Sequence, residues 1–183
     1  MTRIISGRLG GRTLSVPKSG TRPTSDRVRE AIFSRLDHAG ALREARVLDL
    51  FAGSGALGLE ALSRGASHAT FVEHAAPAAK IITANIASLG TTSQCTVVRE
   101  RVQPYLDRID ATWDVVFADP PYDIAADALG AVLACLTSRV GHGGQVILEV
   151  SSRAQEPHWP EGLTVVQTKV YGETTVHTAE PVR

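Results

Sequence analysis

The stretch Asp49-Leu-Phe-Ala-Gly53-Ser-Gly55-Ala-Leu-Gly58 stands between an apolar segment, residues 46–51, and a helical pattern over residues 56–64. An apolar run that leads through glycines into a helix predicts a strand, a tight turn and a helix, with the backbone open to a ligand. The next predicted strand, residues 69–73, ends in Glu73, whose carboxylate can accept both hydroxyl protons of a ribose. These features predict a nucleoside-containing cofactor at the carboxyl ends of the first two strands.

The remainder of the chain alternates strands and helices. Apolar segments predict strands over residues 46–51, 69–73, 95–99, 114–118, 144–150, 163–171 and 174–179, with helices over residues 56–64, 77–89, 102–109 and 125–136. A further helix begins at Thr24-Ser25-Asp26 and ends near Gly40. Regular alternation with continuously apolar strands predicts an α/β fold, a seven-stranded, mostly parallel sheet with helices on both faces. The last two strands form an antiparallel C-terminal hairpin around Gly172-Glu173.

The first residues differ from this pattern. Two short alternating runs within residues 3–17 meet at Gly10-Gly11, which predicts a small N-terminal β-hairpin that packs little of the core. We therefore divide the chain into an N-terminal extension, residues 1–23, and a main domain, residues 24–183. Residues 1–36 contain eight Arg and Lys and two Asp and Glu, a net charge of +6. Because the whole chain is neutral, residues 37–183 carry a net charge of −6. Such asymmetry is typical of a polyanion-binding surface, although a merely solvated surface would look the same.

Composition excludes several classes of protein. Hydrophobic residues make up 43% of the chain, and no segment approaches the roughly 20 apolar residues of a membrane span. No signal peptide is evident, so we expect a cytoplasmic protein. Cys95 and Cys135 are expected to be reduced packing residues, and no cysteine or histidine spacing indicates a metal site.

The glycine motif alone leaves the cofactor open. The segment Gly53-Ser-Gly55-Ala-Leu-Gly58 also satisfies the dinucleotide pattern G-x-G-x-x-G, which keeps an NAD(P)-dependent oxidoreductase as an alternative. A dinucleotide places its pyrophosphate at the helix N-terminus, whereas S-adenosylmethionine carries a sulfonium cation and no phosphate. Asp49 suits the cationic amino-acid end of S-adenosylmethionine better than a pyrophosphate. Capping of the helix that follows is the alternative role for Asp49.

A second motif, Asp119-Pro-Pro-Tyr122, follows the fourth predicted strand. An exocyclic base amine is a poor nucleophile because its lone pair is delocalised into the ring. Asp119 and the carbonyl of Pro120 can accept its two N–H bonds, Pro121 helps to fix the backbone, and Tyr122 can stack on an unstacked base. The motif thus predicts methyl transfer to such an amine. A rigid Pro-Pro turn with an Asp cap would explain the residues singly but not their place after this strand.

These residues resemble a known family. Asp119-Pro-Pro-Tyr122 matches the (D/N)PP(Y/F) motif of amino methyltransferases, and the chain resembles the bacterial RsmD family over nearly its full length. The matching segments are Arg3-Ile-Ile-Ser-Gly-Arg8, Arg22-Pro-Thr-Ser-Asp26-Arg-Val-Arg-Glu30-Ala-Ile-Phe33, Asp49-Leu-Phe-Ala-Gly-Ser-Gly55-Ala-Leu-Gly-Leu-Glu60-Ala, Asp119-Pro-Pro-Tyr122 and Tyr171-Gly172. The resemblance implies a Rossmann-like methyltransferase that transfers a methyl group from S-adenosylmethionine to guanine N2 of small-subunit (16S) ribosomal RNA. DNA adenine-N6 methylation and RNA binding without chemistry are the competing functions.

The resemblance also implies roles for particular residues. The expected catalytic residues are Asp119, Pro120, Pro121 and Tyr122. The expected cofactor-binding residues are Asp49, Phe51, Gly53, Ser54, Gly55, Leu57, Glu73, Arg101, Val102 and Asp119. The expected RNA-contacting residues are Arg3, Arg8, Arg12, Lys18, Arg22, Thr24 and Asp26.

The chain departs from the wider methyltransferase pattern at Arg101, where an Asp or Asn often binds the adenine amine, so Glu100 or backbone groups would have to substitute. We expect a monomer that acts on an assembling small ribosomal subunit.

Overall fold

The computed structural model describes residues 1–19 and 24–183. In sequence order the strands are β1 (Thr2–Arg3), β2 (Thr13–Leu14), β3 (Arg46–Leu50), β4 (His68–Val72), β5 (Cys95–Val98), β6 (Trp113–Ala118), β7 (Val140–Ser151), β8 (Leu163–Tyr171) and β9 (Thr174–Pro181). The helices are α1 (Asp26–His38), α2 (Ala56–Ser63), α3 (Ala76–Ser88), α4 (Val102–Arg108) and α5 (Ala126–Leu136). A short 3₁₀ turn, Thr92–Gln94, precedes β5. Strand β7 begins at Val140, earlier than predicted, because Val140 pairs with Trp113 across a register shift.

Seven strands form one sheet in the order β5-β4-β3-β6-β7-β9-β8. The first five of these run parallel, and β9 runs antiparallel to both β7 and β8. The chain leaves β3 toward β4 and β5, then crosses back to β6 on the other side of β3. Such a reversal opens a crevice at the carboxyl ends of β3 and β6, where open α/β sheets bind their ligands.

Helices cover both faces of this sheet. Helices α1, α2 and α3 pack on one face around Phe33, Phe71 and Phe117. Helices α4 and α5 pack on the other face around Trp113 and Leu133. The predicted fold class is confirmed, because strands buried on both faces need two helical layers to exclude water.

The predicted small N-terminal hairpin is confirmed. Thr2–Arg3 pairs antiparallel with Thr13–Leu14, and Ile4 donates its N–H to the Arg12 carbonyl and accepts the N–H of Gly11. Ile4, Leu9 and Leu14 are buried in the core that contains α1 and α2. The prediction that this segment packs little of the core is therefore wrong. The predicted boundary at residue 23 falls within residues 20–23, outside the described residues, and the division into two parts stays a prediction.

A buried carboxylate explains why the N-terminal segment packs so closely. Glu60 of α2 accepts hydrogen bonds from the backbone N–H groups of Ile5 at 2.8 Å and Ser6 at 3.1 Å. It also accepts one from Nε of Arg64 at 2.8 Å and lies 3.7 Å from Nη1 of the buried Arg29. We call Glu60, Arg29 and Arg64 the Glu60 network. It joins α1, α2 and the N-terminal segment in one set of charge-assisted contacts.

Candidate active site

Two carboxylates brace the glycine turn between β3 and α2. Asp49 is buried in β3, and its Oδ2 accepts the backbone N–H of Gly58 at 2.9 Å, in the first turn of α2. Glu73 follows β4, and its two oxygens accept the N–H groups of Gly53 at 2.9 Å and Ala75 at 3.0 Å. The N-cap residue of α2 is Gly55, which has no side chain to cap the helix, so the Asp49 carboxyl serves as the N-terminal cap. The helix-capping alternative for Asp49 is therefore present in the structure, and it leaves one carboxylate oxygen for a ligand.

The backbone of this turn requires its glycines. Phe51, Gly53 and Gly55 all have positive φ, at 57°, 60° and 81°. Gly58 lies so close to Phe71 of β4 that an added Cβ would come within 2.4 Å of the ring. The turn therefore passes the chain from β3 into α2 with the helix pressed against the sheet.

The second motif lies at the adjacent strand end. Asp119 follows β6 directly, Pro120 is buried, and Tyr122 is 49% exposed. Oδ2 of Asp119 lies 3.3 Å from the hydroxyl of Thr24, the residue before the α1 N-cap Ser25. Because β3 and β6 are neighbours in the sheet, Asp119 and the glycine turn open onto the same crevice.

The structure adds one residue that the sequence pattern did not indicate. Glu149, near the carboxyl end of β7, is buried, and its Oε2 accepts a hydrogen bond from the Thr24 hydroxyl at 2.8 Å. Thr24 thus bridges Glu149 and Asp119. A single acid within the apolar run Val146-Ile-Leu-Glu149-Val was the signal available in the sequence.

Burial raises the pKa values of three acids in this group. Burial raises the pKa of Asp49 to about 8; the Gly58 N–H opposes the rise, and the charge of Glu73 adds to it. The pKa of Asp119 is raised well above its ordinary value by burial first and then by the charges of Glu149 and Asp49. Burial likewise raises the pKa of Glu149. Among the described residues no Arg or Lys forms an ion pair with these three acids, so a cationic ligand would stabilise their ionised forms.

We expect Asp49→Asn to stabilise the unliganded protein at pH 8 by about 2 kcal/mol or more. In the unfolded chain Asp49 ionises near pH 4, whereas in the folded protein it ionises only near pH 8. The unfolded state therefore binds fewer protons between these values, and the wild type loses stability as the pH rises. Asn is always neutral and still offers Gly58 an acceptor oxygen.

Urea denaturation of both proteins at pH 4.5 and pH 8 measures this difference. The advantage of the Asn variant should shrink toward the lower pH, because pH 4.5 lies within about one unit of the pKa of Asp49 in the unfolded chain and the unfolded state then gains little from losing the proton. An advantage that does not change with pH would show that Asp49 is not held protonated.

The remaining predicted cofactor residues lie around the same crevice or beside it. The backbone carbonyl of Ser54 accepts a hydrogen bond from Asn85 of α3 at 3.0 Å, and Leu57 is buried in α2. Arg101 is the exposed N-cap residue of α4, and Val102 after it is buried. The carboxylate of Glu100, expected to substitute in the adenine contact, instead pairs with Arg108 at 2.6 Å.

The predicted RNA-contacting residues are only partly gathered at the site. Thr24 lies in it. Arg3, Arg8, Arg12 and Lys18 are exposed on the N-terminal segment, where Arg8 reaches Gln94 at 2.7 Å and Arg12 reaches the Ser88 carbonyl at 2.6 Å. Asp26 is engaged by Arg29 at 2.7 Å and by Arg3 at 3.6 Å. Arg22 lies outside the described residues.

Other features of the described residues lie apart from this crevice. A cavity of about 450 Å³, lined in part by Gly40, Arg43, Asp114 and His142, lies at the amino ends of β3 and β6. Both cysteines are free. Within residues 1–19 and 24–183, no group of three or more His, Cys, Asp or Glu is placed to hold a metal ion. No helix in these ranges is both long enough and apolar enough to cross a membrane.

The strand order, the reversal beside β3 and the acids at the strand ends define the chain as a Rossmann-like methyltransferase fold. The model of the family described as conserved hypothetical protein 95 matches residues 2–180. The chain belongs to this family, the RsmD family.

Individual relatives agree with this assignment. Ribosomal RNA small subunit methyltransferase D of Escherichia coli K12 is 45% identical over 121 residues, which cover 66% of this chain and 60% of that protein. The putative rRNA methyltransferase YlbH of Bacillus subtilis is 34% identical over 180 residues, 95% of this chain and 96% of that protein. The solved structure of the putative methyltransferase yhhF of E. coli has a TM-score of 0.86 at 34% identity, covering 98% of this chain and 97% of its own.

Proposed function

We propose that the protein transfers a methyl group from S-adenosylmethionine to the exocyclic N2 amine of a guanine in small-subunit (16S) ribosomal RNA, within an assembling subunit in the cytoplasm. The observation that carries the proposal is Asp119, a half-buried acid whose carboxylate accepts a hydrogen bond from Thr24 at the crevice beside the glycine turn. The names of the E. coli and B. subtilis relatives, both rRNA methyltransferases, support the substrate class.

The acids of the crevice fit S-adenosylmethionine better than a dinucleotide. Asp49, Glu73 and Asp119 line the cofactor side of the crevice with carboxyl groups. A bound cation stabilises the ionised forms of such groups, so this lining favours a sulfonium and an ammonium group over a pyrophosphate. In this proposal Glu73 holds the ribose hydroxyls and Asp49 faces the cationic amino-acid end. The bound cofactor supplies an electrophilic methyl group.

The protein's own residues prepare the nucleophile. Asp119 and the Pro120 carbonyl accept the two N–H bonds of the target amine, which directs the nitrogen lone pair toward the methyl group. The exposed Tyr122 ring stacks on the base once it has left its helix. The raised pKa of Asp119 equips this carboxylate to take up the amine proton after transfer.

Mass analysis of nucleosides tests the proposed function. Small subunits from cells that lack the gene are incubated with the protein and S-adenosylmethionine, and their RNA is digested. We expect N2-methylguanosine at one position. N6-methyladenosine instead would favour the DNA-type adenine chemistry, and RNA binding without any methylated product would favour a binding module. Calorimetric binding of NADH without a signal from S-adenosylmethionine would indicate an oxidoreductase.

Asp49→Asn should weaken S-adenosylmethionine binding roughly ten- to a hundredfold, because the variant lacks the charge-assisted hydrogen bond to the ligand and keeps the helix cap. In the wild type, binding should release protons near pH 7, where Asp49 is largely neutral, so the affinity should rise toward pH 8. Calorimetry in two buffers of different ionisation enthalpy measures both effects. Unchanged affinity in the Asn variant would assign Asp49 to the helix cap alone.

The exposed basic residues of the N-terminal segment should bind RNA phosphates. Changing Arg8, Arg12 and Lys18 to Gln should weaken RNA binding and reduce the slope of log K against log salt by roughly 0.7–0.9 for each phosphate that is no longer neutralised. The same change of charge at Arg43, Arg46 and Lys169, exposed residues away from this segment, is the control. Filter binding over a range of salt concentrations gives the slopes. Equal slopes for the two triple variants would contradict a specific basic surface.

A further inference from the structure

Glu149 is a buried carboxyl for which the proposed function has no task. The residue is 6% exposed and lies in β7, next to β6, the strand that Asp119 follows. The Thr24 hydroxyl lies 2.8 Å from Oε2 of Glu149 and 3.3 Å from Oδ2 of Asp119, so the two carboxyl oxygens are within about 6 Å of each other. Glu149 therefore belongs to the wall that would face the target base.

A structural role alone does not account for an acid at this position. The Thr24 hydroxyl has one proton and can donate to only one of the two carboxyls at a time. A Gln at residue 149 would accept the same bond without the cost of burying a charge. Because the described residues give Glu149 no Arg or Lys partner, its remaining acceptor capacity is free for a donor brought by a ligand.

The bases differ at the ring nitrogen beside the reactive amine. In guanine the N2 amine lies between N1–H and N3, so on the N1 side two neighbouring groups are donors. In adenine the N6 amine adjoins N1, and in cytosine the N4 amine adjoins N3, both of which are acceptors. A second carboxylate beside Asp119 therefore complements guanine and repels the lone pair of the other two bases.

We infer that Glu149 is a specificity-determining residue that accepts the N1–H of the target guanine while Asp119 accepts an N2–H. Thr24 holds the two carboxyls at a fixed separation before the base enters. The inference rests on the proposed function, since it explains why that site takes guanine. It assigns guanine selection to β7, a part of the chain outside the Asp119-Pro-Pro-Tyr122 motif.

The test replaces the target guanine, once located, by 2-aminopurine in a ligated substrate RNA. This base keeps the amine at the same carbon but carries a lone pair at N1. We expect the wild type to prefer guanine in kcat/KM by about tenfold or more, because 2-aminopurine leaves a buried acceptor unpaired. The Glu149→Gln variant, whose amide can donate to N1, should lose activity on guanine and show a preference within about threefold of unity. The missing O6 of 2-aminopurine affects both proteins alike and cancels in the comparison.

Three outcomes decide the matter. A collapse of the guanine preference in Glu149→Gln, with melting temperature and cofactor affinity unchanged, supports the inference. Equal loss on both bases, the result we expect for Thr24→Val, would reduce Glu149 to a positioning residue and overturn it, as would wild-type behaviour of the variant. If the wild type methylates no guanine, the proposed function itself fails, and the two failures are thereby distinguished.

Discussion

Asp119→Ala should lower the rate of methyl transfer roughly a hundredfold or more while the dissociation constant for S-adenosylmethionine stays within about threefold of the wild type. The alanine removes the acceptor that orients the target amine and takes up its proton. The cofactor keeps Glu73 and Asp49. Single-turnover transfer of a labelled methyl group to RNA measures the rate, and calorimetry measures the cofactor affinity.

Asp119→Asn is the matched control. Asn keeps one acceptor oxygen, and the (D/N)PP(Y/F) pattern includes it, so this variant should retain more activity than the alanine. Near wild-type turnover in Asp119→Ala would remove Asp119 from the mechanism. A large loss of cofactor affinity together with activity would instead show that its principal contact is with the cofactor.

Glu60→Ala should lower the free energy of unfolding by about 3–5 kcal/mol, because it removes the buried carboxylate beside Arg29 and Arg64 and leaves two backbone N–H groups without their acceptor. For a chain of this length, such a loss corresponds to a fall of roughly 10 °C in Tm. Thermal and urea denaturation give the two quantities.

Asp37→Ala provides the comparison within the same set of charges. Asp37 also pairs with Arg64, at 2.8 Å, but it lies at the surface, and its loss should cost no more than about 1 kcal/mol. Equal costs for the two variants would contradict a buried Glu60 network. If proteases cut Glu60→Ala only within residues 2–15 and its Tm is unchanged, the prediction that the N-terminal segment packs little of the core would be correct after all.

The sheet could be predicted from the sequence because its signals are local. Each parallel strand is a short apolar run, and the glycines after β3 and the prolines after β6 mark where strands end. The elements that hold Asp49, Glu73 and Asp119 follow from that pattern. Their convergence follows from the rule that parallel strands share one carboxyl edge.

Two features could not be predicted because their causes are distant in sequence. Within β7, Glu149 is one acid in an apolar run, and only the folded chain brings it to Thr24, far away in sequence. The alternation within residues 3–17 predicts the hairpin, but its close packing against Glu60 and Ser63 of α2 depends on contacts that are distant in sequence. At Gly7 an added Cβ would lie 2.0 Å from the Ser63 carbonyl oxygen, a closeness that no local pattern reveals.

The position of β9 has a consequence for the order of folding. Although β9 is the last strand in sequence, it lies inside the sheet between β7 and β8, and its Val176 pairs in register with Glu149. During synthesis β7 leaves the ribosome with one edge unpaired, and that edge stays open until residues 174–181 have followed. We expect hydrogen-exchange protection of β7 to appear together with that of β9, later than that of β3 and β4. A nascent chain therefore has its glycine turn early but completes the wall that contains Glu149 only when the sheet closes.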